Sequence, residues 1–332
     1  MAEWIYELGI GEARAALVSG GDILELAIDR DDGRLRAGAI VAVRIARVAD
    51  ATGRAFGELA DGAPARIERL PRGATQGMTI AAEVVREAID EGGGQVKPPR
   101  LIASDEAERP GPTLAERIAA TGLPVRRGAA HLPDALEAAG WSEAIEEAAS
   151  GVVARDTALL RIVPTPAMTL IDVDGASAPE DLAVAGAGAA GRAIRRFDIG
   201  GSIGIDLPTI EGKAARQAAA AALDAALPPP FERTAVNGFG FLQIVRRRRR
   251  ASLVELLRHD PVTAAACALL RRAERVRGAG AVTLTAAPAV IARIEREAGW
   301  VATLAARRGG AIGLRVVPGM AISAGDAAAT PL

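Results

Sequence analysis

Cysteine, histidine and aromatic residues are all scarce in this sequence, and their scarcity excludes several kinds of site. With a single cysteine, Cys267, the chain has no intrachain disulfide framework and no multi-cysteine zinc site of its own. The two histidines, His131 and His259, have no cysteine or histidine cluster around them, and the Gly-x-Ser-x-Gly motif of serine hydrolases does not occur. A histidine-assisted serine or cysteine nucleophile is therefore not predicted.

Long uncharged apolar stretches are also missing. No segment approaches the roughly 18 residues that a membrane helix needs, so we expect no membrane span. The first residues, MAEWIYE, lack the basic region and apolar core of a secretory signal, and we expect a cytoplasmic protein. The 332 residues, 50% of them hydrophobic, are enough for two or more domains with their own cores.

Two aspartates, Asp172 and Asp206, each end a short apolar run of the kind that forms a buried strand. Two carboxylates on neighbouring strands can share one hard cation through their oxygens. This layout is typical of a magnesium-dependent phosphoryl-transfer site. The alternative is that the aspartates only cap a turn, because Asp172 and Asp174 precede the breaker Gly-Ala-Ser-Ala-Pro.

The balance of charge is nearly neutral, with 40 basic and 41 acidic residues, so net charge gives no indication of a nucleic-acid partner. The distribution of charge is more informative, because five consecutive arginines (246–250) follow an apolar strand predicted over 239–245. They are either a solvated strand end or an edge that binds phosphate through bidentate contacts.

Three blocks of the sequence together resemble the bacterial ribonuclease E/G family. They are TPAMTLIDVDG (165–175), RAIRRFDIGGSIGID (192–206) and GFGFLQIVR (238–246), in the family's order. The resemblance implies an endoribonuclease that hydrolyses phosphodiester bonds of single-stranded RNA with Mg²⁺ held by Asp172 and Asp206. Asp174 stands where the family usually has Asn, and would orient the attacking water or a ligand carboxylate. The family's Arg-x-Arg matches Arg246 and Arg248, which we therefore expect to contact RNA.

The same resemblance implies a multidomain α+β and α/β fold and covers nearly the whole chain. The implied parts are an RNase-H-like N-terminal hairpin (1–36), an S1-like OB barrel (37–103), a linker with an RNase-H-like remnant (104–150), a layered α/β catalytic domain (151–258) and a small αβαβ C-terminal domain (259–332). The residues alone also predict a hairpin around Gly20-Gly21, a small barrel of short strands, and Ala-rich helices over 183–196 and 213–227.

Within the S1-like region, Phe56 and Lys97 match positions at which the family stacks bases and contacts phosphate. The second aromatic residue of the family is missing, and Ala65, Arg66 and Ile67 occupy that stretch. The sequence leaves two interpretations of Phe56 open, a platform for RNA bases or a residue of the barrel core.

The family's zinc link and its 5′-monophosphate pocket are missing from this sequence. Arg258-His-Asp-Pro runs into the next helix where the family has Cys-Pro-x-Cys, so no zinc is expected and a homodimer would have to be held by apolar surface. Cys267 is predicted to be buried on that helix. The region of the 5′-monophosphate pocket is reduced to residues 104–120.

Two other functions stay open. The chain could be a catalytically weakened RNA-binding protein of the same fold, because Asp174 cannot donate the hydrogen bond of the family's Asn. It could also be a nucleotide-binding α/β enzyme, since Gly186, Gly188 and Gly191 spell Gly-x-Gly-x-x-Gly. These glycines fall inside a predicted helix instead of directly after a strand, and helix packing explains them better.

Overall fold

The structure is a computed structural model that describes residues 1–48, 53–278 and 280–329. Residues 49–52 of the predicted barrel region, and residues 279 and 330–332 of the predicted C-terminal domain, lie outside the described residues. The chain divides into two compact units. The first contains residues 1–32, 121–145 and the chain from Leu256 onward, and the second contains residues 33–120 and 146–255.

The elements of the described residues are as follows. The strands are β1 (Glu3–Leu8), β2 (Glu12–Ser19), β3 (Asp22–Arg30), β4 (Ile40–Val48), β5 (Ala55–Glu58), β6 (Pro64–Ile67), β7 (Thr79–Arg86), β8 (Ile89–Gly92), β9 (Gln95–Lys97), β10 (Arg100–Ala103), β11 (Val125–Arg127), β12 (Val152–Arg155), β13 (Ala158–Pro164), β14 (Thr169–Gly175), β15 (Gly201–Asp206), β16 (Phe231–Arg233), β17 (Phe241–Arg246), β18 (Val282–Ala286), β19 (Ile312–Val316) and β20 (Asp326–Ala329). The helices are α1 (Leu114–Ala119), α2 (Ala135–Ala138), α3 (Trp141–Ser150), α4 (Pro179–Arg196), α5 (Lys213–Ala226), α6 (Leu253–His259), α7 (Pro261–Glu274), α8 (Pro288–Arg296) and α9 (Ala298–Arg308), with a short 3₁₀ helix at Ile322–Ala324.

The first unit contains a four-stranded sheet in the order β11-β1-β2-β3. Strands β2 and β3 form the hairpin that the sequence predicts, and its turn uses Gly20 and Gly21 with φ angles of 62° and 93°. Side chains disfavour that left-handed backbone, which explains why two glycines stand there. Strand β11 pairs in parallel with β1, so a segment far along the chain completes this sheet.

The C-terminal part of the first unit packs α7, α8 and α9 around a three-stranded sheet in the order β19-β18-β20. The sequence predicts helix, strand, helix and strand for this region, and the structure adds α9 and β20. Cys267 on α7 is fully buried in the apolar cluster between the helices and the sheet, so the predicted packing role of this cysteine is confirmed. Burial raises the pKa of its thiol far above the usual range.

The second unit begins with a closed five-stranded barrel in the order β10-β6-β5-β4-β7. Alternate residues of these strands fill its interior with small and branched side chains, including Val43, Ile45, Ile67, Val84 and Leu101, each at most 1% exposed. The prediction of a small barrel is therefore confirmed. Thr113 caps the short helix α1 that follows, with Glu116 completing a capping box.

A six-stranded sheet in the order β12-β13-β14-β15-β17-β16 forms the rest of the second unit. Helix α4 packs on β13 and β14 and against α5. Gly186 permits this approach, because a Cβ at that position would lie 2.3 Å from a methyl group of Val173. A Cβ at Gly191 would similarly lie 2.9 Å from Ala226 of α5, so close packing accounts for Gly186 and Gly191, whereas Gly188 has room for a Cβ.

Element boundaries differ from the sequence predictions at several points. Helix α4 begins at Pro179 instead of residue 183, because proline is favoured in the first turn of a helix. Strand β17 begins at Phe241 instead of residue 239, since Asn237 and Gly240 hold a turn before it. No helix in the described parts of the chain is long and apolar enough to cross a membrane.

Candidate metal and RNA site

The three aspartates singled out by the sequence lie on one face of the six-stranded sheet. Along β14, Ile171 and Val173 are buried, while Asp172 and Asp174 between and beyond them are exposed. Val173 faces α4, so the alternation of side chains places the two aspartates on the opposite face, which α4 does not cover. The prediction that Asp172 ends a strand is wrong, because β14 continues to Gly175 and places Asp172 in its middle, whereas Asp206 does end β15.

Asp206 is the direct neighbour of Asp172 in the sheet. Strands β14 and β15 are parallel, and their register pairs Asp172 with Asp206. Neighbouring strands lie about 4.8 Å apart, so two carboxylates at one register position can reach a common cation. The structure thus brings together the two residues predicted to bind metal.

Arg161 of β13 contacts the same acidic cluster from the other side. It pairs with Asp172 in the antiparallel register of β13 and β14, and its Nη1 lies 3.5 Å from Asp172 Oδ2. The same guanidinium forms an ion pair with Asp174. Asp206 has no ion pair or hydrogen bond from a side chain within the described residues. A basic residue therefore neutralises one side of the cluster and leaves the Asp206 side acidic.

The oxygen donors of these three aspartates are of the kind that binds a hard divalent cation. Asp172, Asp174 and Asp206 offer carboxylate oxygens, which Mg²⁺ prefers, and Mg²⁺ commonly keeps several of its waters. Within the described residues no group of three or more His, Cys, Asp or Glu side chains is placed to hold a metal ion. A cation held by Asp172 and Asp206 would need water and RNA phosphate to complete its shell.

Two phenylalanines, Phe241 beside Asp206 and Phe239 in the turn before β17, offer aromatic surface in this unit. Phe241 pairs with Asp206 across β15 and β17, and a Cβ at Gly204 would lie 2.5 Å from the Phe241 ring, so glycine leaves room for that ring on the sheet. Phe239 is 83% exposed. Asn237 Oδ1 accepts hydrogen bonds from the amides of Phe239 (2.9 Å) and Phe241 (3.0 Å), which fixes the turn that presents Phe239. Sequence reasoning missed Phe239 as an exposed aromatic, although the preceding Asn-Gly indicates a turn.

Phe56 lies on the outside of the barrel, which excludes the barrel-core interpretation. Its neighbours Ala55 and Gly57 are buried, and Phe56 itself is 36% exposed. The guanidinium carbons of Arg47 and Arg66 lie 4.7 and 5.9 Å from the centre of its ring. Arg66 thus stands beside Phe56 in the stretch where a second aromatic was expected, and the contribution of Arg47 was missed because its pairing with β5 depends on strand register.

Lys97 is engaged within the protein. Its Nζ donates a hydrogen bond of 2.8 Å to the carbonyl of Pro166, in the turn between β13 and β14, and forms an ion pair with Glu91. The residue therefore fastens the β8–β9 hairpin to the six-stranded sheet.

The arginine run divides into two sets. Arg246 bonds to Asp198 at 2.8 Å, Arg248 forms an ion pair with Glu255, and Arg250 lies 3.9 Å from a carboxylate oxygen of Glu87. The intervening residues, Arg247 and Arg249, are exposed and have no ion-pair partner in the described part of the chain. Arg246 and Arg248, expected to contact RNA, are thus paired internally, whereas their neighbours are open to an anion.

The barrel and the arginine run are connected within the second unit. The amide of Glu87 donates a 2.8 Å hydrogen bond to the carbonyl of Arg249. Burial lowers the pKa of the nearby Arg86, and the positive charges of Arg248 and Arg66 lower it further. The positive charges of Arg66 and Arg86 on the barrel and of Arg248 in the run therefore repel one another.

No protein-family model matches this sequence, and no curated protein matches it.

Proposed function

We propose that this protein is an endoribonuclease of the ribonuclease E/G type, which cuts single-stranded RNA with Mg²⁺ held by Asp172 and Asp206. The barrel would serve as the S1-like RNA-binding module, the six-stranded sheet as the catalytic domain, and the first unit as the RNase-H-like and C-terminal parts. Such an enzyme would act in RNA processing or decay in the cytoplasm.

One observation carries the proposal: Asp172 and Asp206 occupy the same register position on neighbouring parallel strands, on a face that α4 leaves uncovered. Two exposed carboxylates at this spacing repel each other, and a divalent cation relieves that repulsion. The turn-capping alternative does not account for a second aspartate at the same register position.

Binding of a single strand is supported by exposed aromatic and basic residues in the same unit. Phe56, flanked by Arg47 and Arg66, offers a face on which a base can stack. Arg247 and Arg249 would hold phosphates through their guanidinium forks. Arg246 and Arg248 would then fix the shape of the run through their ion pairs and contribute positive potential.

In the proposed hydrolysis of the phosphodiester bond, the cation and the side chains would have different roles. When bound, Mg²⁺ would supply charge neutralisation at the scissile phosphate and acidify a bound water. Asp172 and Asp206 would position the ion, and Asp174, on the same strand as Asp172, would orient the attacking water or a ligand carboxylate. Phe239 and Phe241 would hold a base next to the scissile phosphate.

A catalytically weakened RNA-binding protein is the second candidate, and one contact favours it. Arg161 already neutralises Asp172 and Asp174, which lowers the attraction of this cluster for a second cation. The nucleotide-binding enzyme loses support, because close packing explains two of the three glycines of its pattern, Gly186 and Gly191.

Incubation of the purified protein with end-labelled single-stranded RNA, with and without Mg²⁺, separates these functions. Internal cuts that require Mg²⁺ and disappear in Asp172→Asn and Asp206→Asn support the endoribonuclease. Glu232→Gln is the matched control, because Glu232 is an exposed carboxylate on the edge strand of the same sheet. RNA binding without cuts at any Mg²⁺ concentration supports the second candidate and contradicts the first.

A further inference from the structure

A cavity of about 670 Å³ lies in the first unit, which contains none of the residues assigned to RNA cleavage. Its wall is formed by β1, the segment that follows β11 and the C-terminal ends of α7 and α9. The wall carries five arginines and two carboxylates, namely Arg127, Arg275, Arg277, Arg307, Arg308, Glu7 and Glu274. The cavity is therefore much more basic than the chain as a whole.

The two carboxylates of the wall are already neutralised. Glu7 accepts from Arg14 at 2.7 Å and from Arg275 at 2.6 Å, and Glu274 pairs with Arg307. Arg14, behind the wall, also pairs with Asp134 at 2.6 Å. These groups cancel one another's charge, so none of these carboxylates is available to the other arginines.

Three positive charges stay uncompensated. Arg127 and Arg277 are exposed and have no carboxylate partner among the residues that the structure describes. Arg308 donates to the carbonyl oxygens of Val276, at 2.6 Å, and Gly278, which hold its guanidinium in place without removing its charge. Carbonyl partners thus orient one cation while two others stand open to the cavity.

We propose that this cavity binds a phosphorylated small molecule of nucleotide size. Its volume falls within the roughly 300–1,000 Å³ of small-molecule sites. A guanidinium group can donate two parallel hydrogen bonds to the oxygens of a phosphate. A phosphate group carries a charge of about −1.5 to −2 near neutral pH. Two phosphates can therefore neutralise three arginines, whereas a single carboxylate cannot. Tyr6 lies in the wall and offers an aromatic surface on which a base can stack.

Calorimetric titration with ADP, inorganic phosphate and adenosine tests the proposal without any cleavage assay. We expect ADP to bind, adenosine not to bind, and Arg127→Gln/Arg277→Gln to weaken ADP at least about tenfold through the loss of two charge-assisted contacts. The matched control is Arg126→Gln/Arg296→Gln, which removes the same charge from exposed positions outside the cavity. Equal affinity of both double variants, or equal binding of adenosine and ADP, would overturn the proposal.

A phosphorylated RNA end offers the same chemical group, so a short RNA with a 5′-phosphate or a 5′-hydroxyl is titrated in parallel. Binding that needs the 5′-phosphate and is lost in Arg127→Gln/Arg277→Gln supports the phosphate site and assigns RNA as its source. Should the double variant melt below the wild type, Arg277→Gln alone carries the test, because Arg277 is exposed and unpaired in the described structure. Failure of every phosphorylated probe to bind the wild type contradicts the site and leaves the cleavage proposal untouched.

Discussion

Replacing Arg161 with Gln should make the acidic cluster bind divalent cations more tightly. Its guanidinium pairs with Asp174 and lies 3.5 Å from Asp172 Oδ2, so it competes with a metal ion for the same carboxylate oxygens. Gln removes the positive charge while keeping a polar side chain on the exposed face of β13. The two aspartates are then left with Asp206 as a cluster of three uncompensated carboxylates.

The size of the effect follows from distance and exposure. Two opposite unit charges separated by 3.5 Å attract each other by about 1 kcal/mol in bulk water. The attraction rises to several kcal/mol at the lower effective dielectric constant near a protein surface. The Arg161 and Asp172 side chains are 49% and 52% exposed, so water screens their attraction and the smaller energy applies. Exposed ion pairs contribute ~0.2–1 kcal/mol. About 1 kcal/mol corresponds to a roughly fivefold tighter cation site.

Two readouts test this prediction. Mn²⁺ titration of the RNA-free protein, followed by electron paramagnetic resonance, should give a roughly fivefold lower dissociation constant for Arg161→Gln. The Mg²⁺ concentration for half-maximal RNA cleavage should fall by a similar factor. Arg233→Gln is the control, because it removes an ion-paired arginine from the far edge of the same sheet. Weaker Mn²⁺ binding in Arg161→Gln, or a loss of cleavage that Mg²⁺ does not restore, would show that Arg161 assists the site instead of competing.

Three further predictions concern the replaced family residue, the arginine run and the first unit. Asp174→Asn should preserve or raise the rate of RNA cleavage, because it restores a hydrogen-bond donor; a complete loss of cleavage would make the third carboxylate essential. Arg247→Gln/Arg249→Gln should reduce the log-log salt slope of RNA affinity by about 1.4, at roughly 0.7 per phosphate contact on a single strand, whereas Arg126→Gln/Arg296→Gln should leave that slope unchanged. Burial alone would raise the pKa of Asp134, but Arg14, the amide of Glu137 and Arg275 together hold it below its usual value. A lowered folded-state pKa stabilises the fold above about pH 4, and this contribution is lost as pH falls through the lowered value. The difference in unfolding free energy between wild type and Asp134→Asn should therefore be constant near neutral pH and shrink below about pH 4, and a difference independent of pH would contradict this role.

The aspartate pair could be predicted from sequence because its causes are local. Side chains alternate along a strand, so Asp172 in the middle of β14 and Asp206 at the end of β15 lie opposite the buried Ile171 and Ile205 beside them. The Ala-rich helix α4 between the two strands is the crossover that allows β14 and β15 to pair in parallel. Local pattern thus predicts the face of the sheet on which these carboxylates lie, but not the position of Asp172 along its strand.

Other parts of the site depend on register and on distant segments. The contact of Arg161 with the aspartates needs the pairing of β13 with β14, and the position of Phe56 needs the closure of the barrel around β5. The internal pairing of Arg248 needs Glu255, on a helix that begins after the run. The basic cavity joins four segments that are far apart along the chain, so no short motif predicts it.

The most direct test of the central claim is single-turnover cleavage of one labelled RNA by Asp172→Asn, Asp206→Asn and the double variant, at saturating protein and Mg²⁺. If both carboxylates hold one ion, either single substitution should lower the rate at least about a hundredfold. The double variant should then be no slower than the slower single variant, because residues that act as a unit are not additive. Cleavage retained in either single variant, or losses that multiply in the double variant, would contradict a shared cation at Asp172 and Asp206.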